Sequence, residues 1–204
     1  FHGAHTAAKY EALAQETQPV SGAIRSDAFM VPRAEQHSAL GTDAYFGGIV
    51  FPHHASINPG LYHTGLLERA RAAGAVIVSD CAVVGLERSG QGFAVTSGKG
   101  GVAAKRVIVA TNGYTGALTP WHQRRVIPIG SYVIATEELP QAVMDQLMPT
   151  DRILSDTRKL VYYYRPSPDR KRILFGGRVS LRETDPTRSA VKLRAVLVRL
   201  FPQL

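Results

Sequence analysis

One run constrains this chain more than any other: Lys105-Arg106-Val107-Ile108-Val109-Ala110-Thr111-Asn112-Gly113-Tyr114. Apolar residues preceded by two cations and followed by small residues and a glycine predict a central strand of a parallel sheet, buried on both faces. The carboxyl end of such a strand is where open α/β sheets bind ligands. Thr111, Asn112 and Gly113 carry little bulk there, and Gly113 can take backbone angles closed to other residues, so a ligand could approach the main chain closely. Taken alone, the run reads equally as a buried strand followed by an ordinary turn.

The residues upstream favour the ligand-binding reading. Leu61, Leu66, Leu67 and Ala70 recur on one helical face up to Ala73, and Gly74 follows as a stop. Ala75-Val76-Ile77-Val78 reads as a short buried strand. From Cys81 to Arg88, across a Gly-rich turn to Phe93–Thr96, and across a second such turn at Gly98–Gly101, the chain reads as a meander that leads into the Val107 run.

This order resembles the FAD-dependent amine and amino-acid oxidoreductases related to D-amino-acid oxidase, glycine oxidase and sarcosine oxidase. The words that carry the resemblance are Tyr45-Phe46-Gly47-Gly48-Ile49, Ile57-Asn58-Pro59-Gly60-Leu61, Arg71-Ala72-Ala73-Gly74-Ala75-Val76-Ile77, Val107–Gly113 and Leu174-Phe175-Gly176-Gly177-Arg178. Each is weak alone, and their order and spacing are specific. Within the family, Val133–Glu137, the Tyr162-Tyr163-Tyr164-Arg165 strand and Phe201-Pro202-Gln203-Leu204 are most similar to the γ-glutamylputrescine oxidase type.

The family opens with a strand, a Gly-x-Gly-x-x-Gly turn and a helix whose N-terminus binds pyrophosphate. No glycine cluster here has that spacing. A Gly-rich segment that wraps the flavin is expected beyond Leu204. The expectation is therefore an internal piece of a longer flavoenzyme that binds FAD poorly or not at all by itself.

Composition supports a folded chain: 204 residues, 45% hydrophobic and 20% charged. No apolar run approaches the roughly 20 residues that span a bilayer. A single cysteine, Cys81, excludes an internal disulfide and a Cys-cluster metal site. The net charge of +8 is concentrated in residues 151–204, with 13 Lys+Arg against 5 Asp+Glu, whereas residues 1–150 hold 11 of each. The arginines are dispersed among apolar residues, and Arg194–Leu200 reads as an amphipathic helix with a solvated cationic face, which argues against a nucleic-acid partner.

The fold class expected is α+β with an α/β portion: a mixed antiparallel-sheet substrate domain plus a partial Rossmann-like FAD-binding domain. Residues 1–58 form the first part of the substrate domain, 59–116 the partial FAD-binding domain and 117–204 the second part of the substrate domain. Helices are expected at 6–16, 33–40, 139–147 and 187–200. Strands are expected within 17–33 around a Val20-Ser21-Gly22 turn, at 45–50, within 125–136, and at 160–165 and 172–179, the last two joined by a Pro166-Ser167-Pro168-Asp169 turn.

The resemblance implies FAD as cofactor, a small-molecule amine or amino acid as substrate and a cytoplasmic location. It implies oxidation of a C–N bond by hydride transfer to flavin, with hydrolysis of the imine. The cofactor performs the redox step, while protein groups hold the amine and any carboxylate. Tyr162, Tyr164 and Arg178 are the candidates for that wall, because a phenol orients an amine and a guanidinium grips a carboxylate with two parallel hydrogen bonds. Tyr162 and Tyr164 share one face of a strand, and Tyr163 and Arg165 the other, so only one pair can face a pocket. Aromatics that merely pack a sheet would look the same.

His53 and His54 lie in a loop that passes near the flavin in the family, where a histidine could tune amine protonation. At least one of such a pair is expected to be solvated. With His63 they lack a helical His-x-x-x-His spacing, so no metal site is expected. Val83 aligns with the family's backbone contacts to adenine, and Ala110, Thr111, Asn112 and Gly113 are the remaining cofactor candidates. A flavin-free module that keeps only the scaffold is the alternative.

Overall fold

A sheet of seven strands dominates the computed structural model, which describes residues 1–16, 27–178 and 185–204. The described residues divide into two compact units, one of residues 1–56 with 130–204 and one of residues 57–129.

The first unit holds the large sheet. Its strands in chain order are β1 (His2–Gly3), β2 (Phe29–Pro32), β3 (Gly47–Val50), β7 (Tyr132–Ala135), β8 (Leu154–Asp156), β9 (Tyr162–Pro166) and β10 (Ile173–Gly177). Their spatial order is β2-β3-β1-β8-β9-β10-β7, antiparallel throughout except for the parallel pair β1–β8. Helices α1 (Ala7–Glu16), α4 (Gln141–Leu147) and α5 (Pro186–Leu200) and a 3₁₀ turn (Arg33–Ser38) complete it.

The β9–β10 hairpin closes as expected. The Ser167 amide donates to the Arg172 carbonyl (2.8 Å), and the Arg172 amide donates to the Ser167 hydroxyl oxygen (3.0 Å). Arg170 takes a left-handed φ of 57° in the turn. Helix α5 starts at Pro186 under the Asp185 carboxylate, which accepts from the Arg188 amide at 2.9 Å. Ser189, Leu193, Leu197 and Leu200 are its buried stripe. Its cations lie off that stripe, as the amphipathic reading requires.

The stripe packs on one face of the sheet. Leu193 and Leu197 join Leu154, Tyr164, Ile173, Phe175, Phe201, Met144 and Leu147 in a single core. Tyr164 sits centrally, 5.4 Å from Phe175 and edge-on to Phe201 at 5.7 Å. On the opposite face, among the described residues of this unit, α1 covers one end, where Leu13 packs with Ala4, Ile49, Tyr10 and Met30.

The second unit consists of α2 (Pro59–Ala72), an antiparallel meander of β4 (Val83–Ser89), β5 (Gly92–Ser97) and β6 (Gly100–Ala104), and a short helix α3 (Pro120–Gln123). Asn58 caps α2, its Oδ1 accepting from the Gly60 (3.0 Å) and Leu61 (3.2 Å) amides. Gly74 ends it at φ 87°.

Two expected strands are not formed. Ala75–Val78 and the Val107 run are not strands, and Val76 and Ile108 are each 90% exposed. A strand exists through its ladder, and no strand among the described residues lies beside either run. Beside Gly113, whose freedom would allow it, Asn112 takes the left-handed conformation, at φ 47°. Of the strands expected within 17–33, β2 is present, and the part around the Val20-Ser21-Gly22 turn lies outside the described residues. Conversely, β1 and β8 are too short to stand out by periodicity.

Candidate functional site

The uncovered sheet face is where the first unit can meet a ligand. Pairing registers set His2 beside Ser155, Ser155 beside Tyr163, Tyr163 beside Gly176 and Gly176 beside Val133. Cross-strand neighbours share a face, so these residues form one row across five strands. The row is polar from His2 to Tyr163: His2 Nδ1 lies 2.7 Å from Ser155 Oγ, and the Tyr163 hydroxyl lies 2.8 Å from Ser131 Oγ. The Tyr163 ring covers the buried Gly176 in the row, and Val133, at the row's far end, is 58% exposed.

The pleat therefore decides between the two tyrosine pairs. Tyr163 and Arg165 look onto the open face, whereas Tyr162 and Tyr164 look into the core. Tyr164 is 1% exposed, and its hydroxyl donates to that of Tyr45 at 3.3 Å. Burial raises the Tyr164 phenol well above its ordinary range and pushes Tyr45 up to about 12. Tyr162 stacks on Phe175 at 5.7 Å beneath the Arg158 guanidinium. Both expected catalytic tyrosines thus pack the core.

Beneath them, the Asp156 carboxylate is fully buried. It pairs with the Arg158 guanidinium and accepts from the amides of Arg158 (3.2 Å) and Tyr162 (3.3 Å). This network fixes the turn that launches β9.

Arg178 is exposed just after β10. The adjacent histidines part company: His53 Nε2 meets the exposed Asp27 carboxylate at 2.9 Å, whereas His54 stacks on Phe51 at 4.6 Å and lines a cleft.

The expected cofactor residues belong to the other unit. Val83 opens β4 at 40% exposure. Ala110, Thr111, Asn112 and Gly113 are all exposed, the last two within a single 3₁₀ turn (Asn112–Tyr114), and the Thr111 and Thr115 hydroxyls lie 2.8 Å apart. A Cβ on Gly113 would find its nearest neighbour, Pro128, at 3.9 Å, so this turn leaves room for a ligand.

The N-termini of α1, α2 and α5 do not fit a pyrophosphate. The first amides of α2 are taken by Asn58, α5 begins under a carboxylate, and the Lys9 amide of α1 donates to Thr6 Oγ1 at 3.3 Å. A dinucleotide cofactor could meet the exposed 110–113 backbone, and its phosphates have no cradle among the described residues.

Sequence reasoning missed Tyr163, Ser131, His2 and Ser155. Strand periodicity separated Tyr163 from Tyr162 and Tyr164, but which face α5 covers is a tertiary fact. The His2–Ser155 pair spans 153 residues of chain.

The model of the family described as "DAO: FAD dependent oxidoreductase" matches residues 2–204. The chain is 31% identical to a probable oxidoreductase OrdL of Rhizobium meliloti (strain 1021), over 84% of this chain and 40% of the relative. It is likewise 31% identical to the gamma-glutamylputrescine oxidoreductase of Escherichia coli (strain K12), over 81% of this chain and 38% of the relative. The chain thus spans about two fifths of these relatives. The structure is similar to glycine oxidase from Geobacillus kaustophilus, with a TM-score of 0.76 and 16% identity, covering 98% of this chain and 53% of that one. It is also similar to NikD, an amino acid oxidase, with a TM-score of 0.57 and 18% identity over 87% and 44% of the two chains. At these identities the two structures speak for the fold.

Proposed function

Because this chain belongs to the family of FAD-dependent oxidoreductases, we propose that it supplies the substrate-facing sheet and part of the flavin-binding region of an enzyme that oxidises the C–N bond of an amine or amino acid. The observation that carries this reading is the row on the large sheet in which the Tyr163 ring, its hydroxyl 2.8 Å from Ser131 Oγ, lies flat over Gly176. A flat ring and its substrate need such a smooth, partly apolar wall.

Bound flavin would supply the two-electron redox chemistry. The chain's own groups would do the positioning. The Tyr163 hydroxyl, held by Ser131, can accept a hydrogen bond from a substrate nitrogen. Arg178 offers a guanidinium to a carboxylate. The row's apolar middle keeps water from the amine-bearing carbon. The small-molecule partner proposed is an amine of the kind named for the Escherichia coli relative, acted on in the cytoplasm.

The N-termini of α2 and α5, capped by Asn58 and Asp185, favour a second reading in which this stretch alone holds no flavin. The visible spectrum of the protein made from its complete reading frame separates the two readings. A flavin band bleached anaerobically by γ-glutamylputrescine, putrescine, sarcosine or D-alanine supports the oxidoreductase. A purified protein without a flavin band would leave the scaffold-only module.

A further inference from the structure

We propose that Asn112 is a site of spontaneous modification in the second unit: it cyclises with Gly113 to a succinimide, loses ammonia and reopens in water as aspartate or isoaspartate. The turn offered to a cofactor thereby acquires a negative charge.

The chain holds two asparagines, in opposite surroundings. Asn58 is followed by Pro59, whose nitrogen carries no hydrogen and cannot attack. Its Oδ1 is also engaged by the Gly60 (3.0 Å) and Leu61 (3.2 Å) amides. Asn112 is followed by glycine, the residue that least obstructs the approach of its own nitrogen to the preceding side chain. Asn112 and Gly113 are both exposed. Neither the Asn112 side-chain amide nor the Gly113 N–H makes a hydrogen bond among the described residues.

The backbone of the turn does not itself require a glycine at 113. The left-handed angle belongs to Asn112, at φ 47°, and Gly113 has no positive φ. A Cβ built on Gly113 would meet Pro128 at 3.9 Å, an ordinary contact. An alanine would therefore fit. What glycine adds at this position is freedom for the ring to close.

The folded turn slows that closure without preventing it. With Asn112 left-handed, the Gly113 nitrogen is turned away from the Asn112 side chain, so the ring forms during openings of the turn. The bonds that oppose opening are local. The Thr115 amide (3.3 Å) and hydroxyl (2.7 Å) both donate to the Asn112 carbonyl, and the Tyr114 amide donates to that of Thr111 (2.9 Å). Tyr114 is 95% exposed, and none of residues 107–118 is buried. One small opening releases all three bonds at little cost.

The step balances with water as its only co-reactant. The Gly113 nitrogen loses its proton and bonds to Asn112 Cγ, the Cγ–Nδ2 bond breaks, and ammonia leaves. Water then opens the ring at one of its two carbonyls. Opening at Cγ restores the main chain with an aspartate. Opening at the backbone carbonyl leaves isoaspartate, and the carbonyl held by Thr115 becomes a free carboxylate. Either product places one negative charge in a stretch, residues 88–136, that holds six Lys and Arg and no Asp or Glu.

The test incubates the protein from the complete reading frame at mildly alkaline pH, stripped of flavin and with excess FAD, and maps its peptides by mass. In the flavin-free protein, the peptide with Asn112 should gain the mass that replaces an amide by an acid, with isoaspartate among the products, while the peptide with Asn58 stays unchanged. Gly113→Ala should slow conversion by roughly tenfold or more, because a Cβ closes backbone angles that ring formation needs, with the unfolding midpoint unchanged. Conversion at Asn112 no faster than at Asn58, or an unaltered rate in Gly113→Ala, overturns the proposal. Should Gly113→Ala fail to fold, the comparison of the two asparagines decides. The effect of FAD rests on the reading of residues 110–113 as facing a cofactor and is read separately. Slower conversion with FAD supports both. Conversion equally fast with and without FAD keeps the modification site and removes this turn from the cofactor's surroundings.

Discussion

Tyr163 lies flat across Gly176: a Cβ built on that glycine would sit 2.2 Å from Tyr163 Cε2. Any side chain at 176 must lift the ring and pull its hydroxyl from Ser131. Gly176→Ala is expected to cost about 1–3 kcal/mol of stability in chemical denaturation, the usual toll of overpacking. In the complete enzyme it should also lower amine oxidation as much as Tyr163→Phe does. A variant as active and as stable as wild type would mean that the ring's position is unimportant.

The two faces of β9 make opposite predictions for adjacent tyrosines. Tyr164→Phe removes a buried hydroxyl that donates to Tyr45, so it should lower stability by about 1 kcal/mol and leave the Michaelis constant for the amine alone. Tyr163→Phe should leave stability within about 0.5 kcal/mol, as surface changes do, and lower amine oxidation by roughly tenfold to a hundredfold. Steady-state kinetics and urea melts on both variants check this, and exchanged outcomes would reverse the assignment of the faces.

The two faces of β9 show how far the sequence could be read. Alternation alone divided Tyr162 and Tyr164 from Tyr163 and Arg165, and it marked Arg194–Leu200 as amphipathic. What it could not supply was that the Leu193–Leu197 stripe of α5 lands on the Tyr164 side. The Val107 run failed for a related reason. Its composition is that of a buried strand, but pairing needs a neighbour, and a neighbour is not a property of the run. His2 and Ser155 carry no local signal, since their meeting depends on the parallel pairing of β1 with β8.

Asp156 is the most costly side chain to neutralise. Its carboxylate is fully buried and serves one guanidinium and two amides. Asp156→Asn is isosteric but leaves the half-buried Arg158 uncompensated, and should destabilise by about 3–5 kcal/mol. Asp145→Asn is the control: that residue is exposed, so its change should be small. Equal melts for both variants would remove the network from the account of the fold.

His2 gives stability a pH dependence of definite sign. Its folded-state pKa lies below the ordinary histidine value of 6.5, first because burial penalises the cation; Asp156 opposes this, the Phe1 amino group adds to it and Glu16 opposes it. The unfolded chain therefore binds this proton more tightly than the folded one. The His2 contribution is fully present above pH 6.5, falls as pH drops toward the folded value, and levels off below it. Denaturation midpoints between pH 8 and pH 5 should show less of this fall in His2→Gln. Parallel curves for the two proteins would place the imidazole in water.

None of residues 57–129 is buried. Ile108 is 90% exposed, whereas Phe175 is fully buried. In this chain, Ile108→Thr should change stability by less than about 0.5 kcal/mol, while Phe175→Ala should cost about 3–5 kcal/mol. The same pair of substitutions in the protein from the complete reading frame tests whether the Val107 run gains a neighbour there. A cost of about 1–3 kcal/mol for Ile108→Thr in that protein, set against none in this chain, would mean that the run is covered as its composition demands. A negligible cost in both would leave Ile108 as a surface residue and the apolar run without a structural purpose.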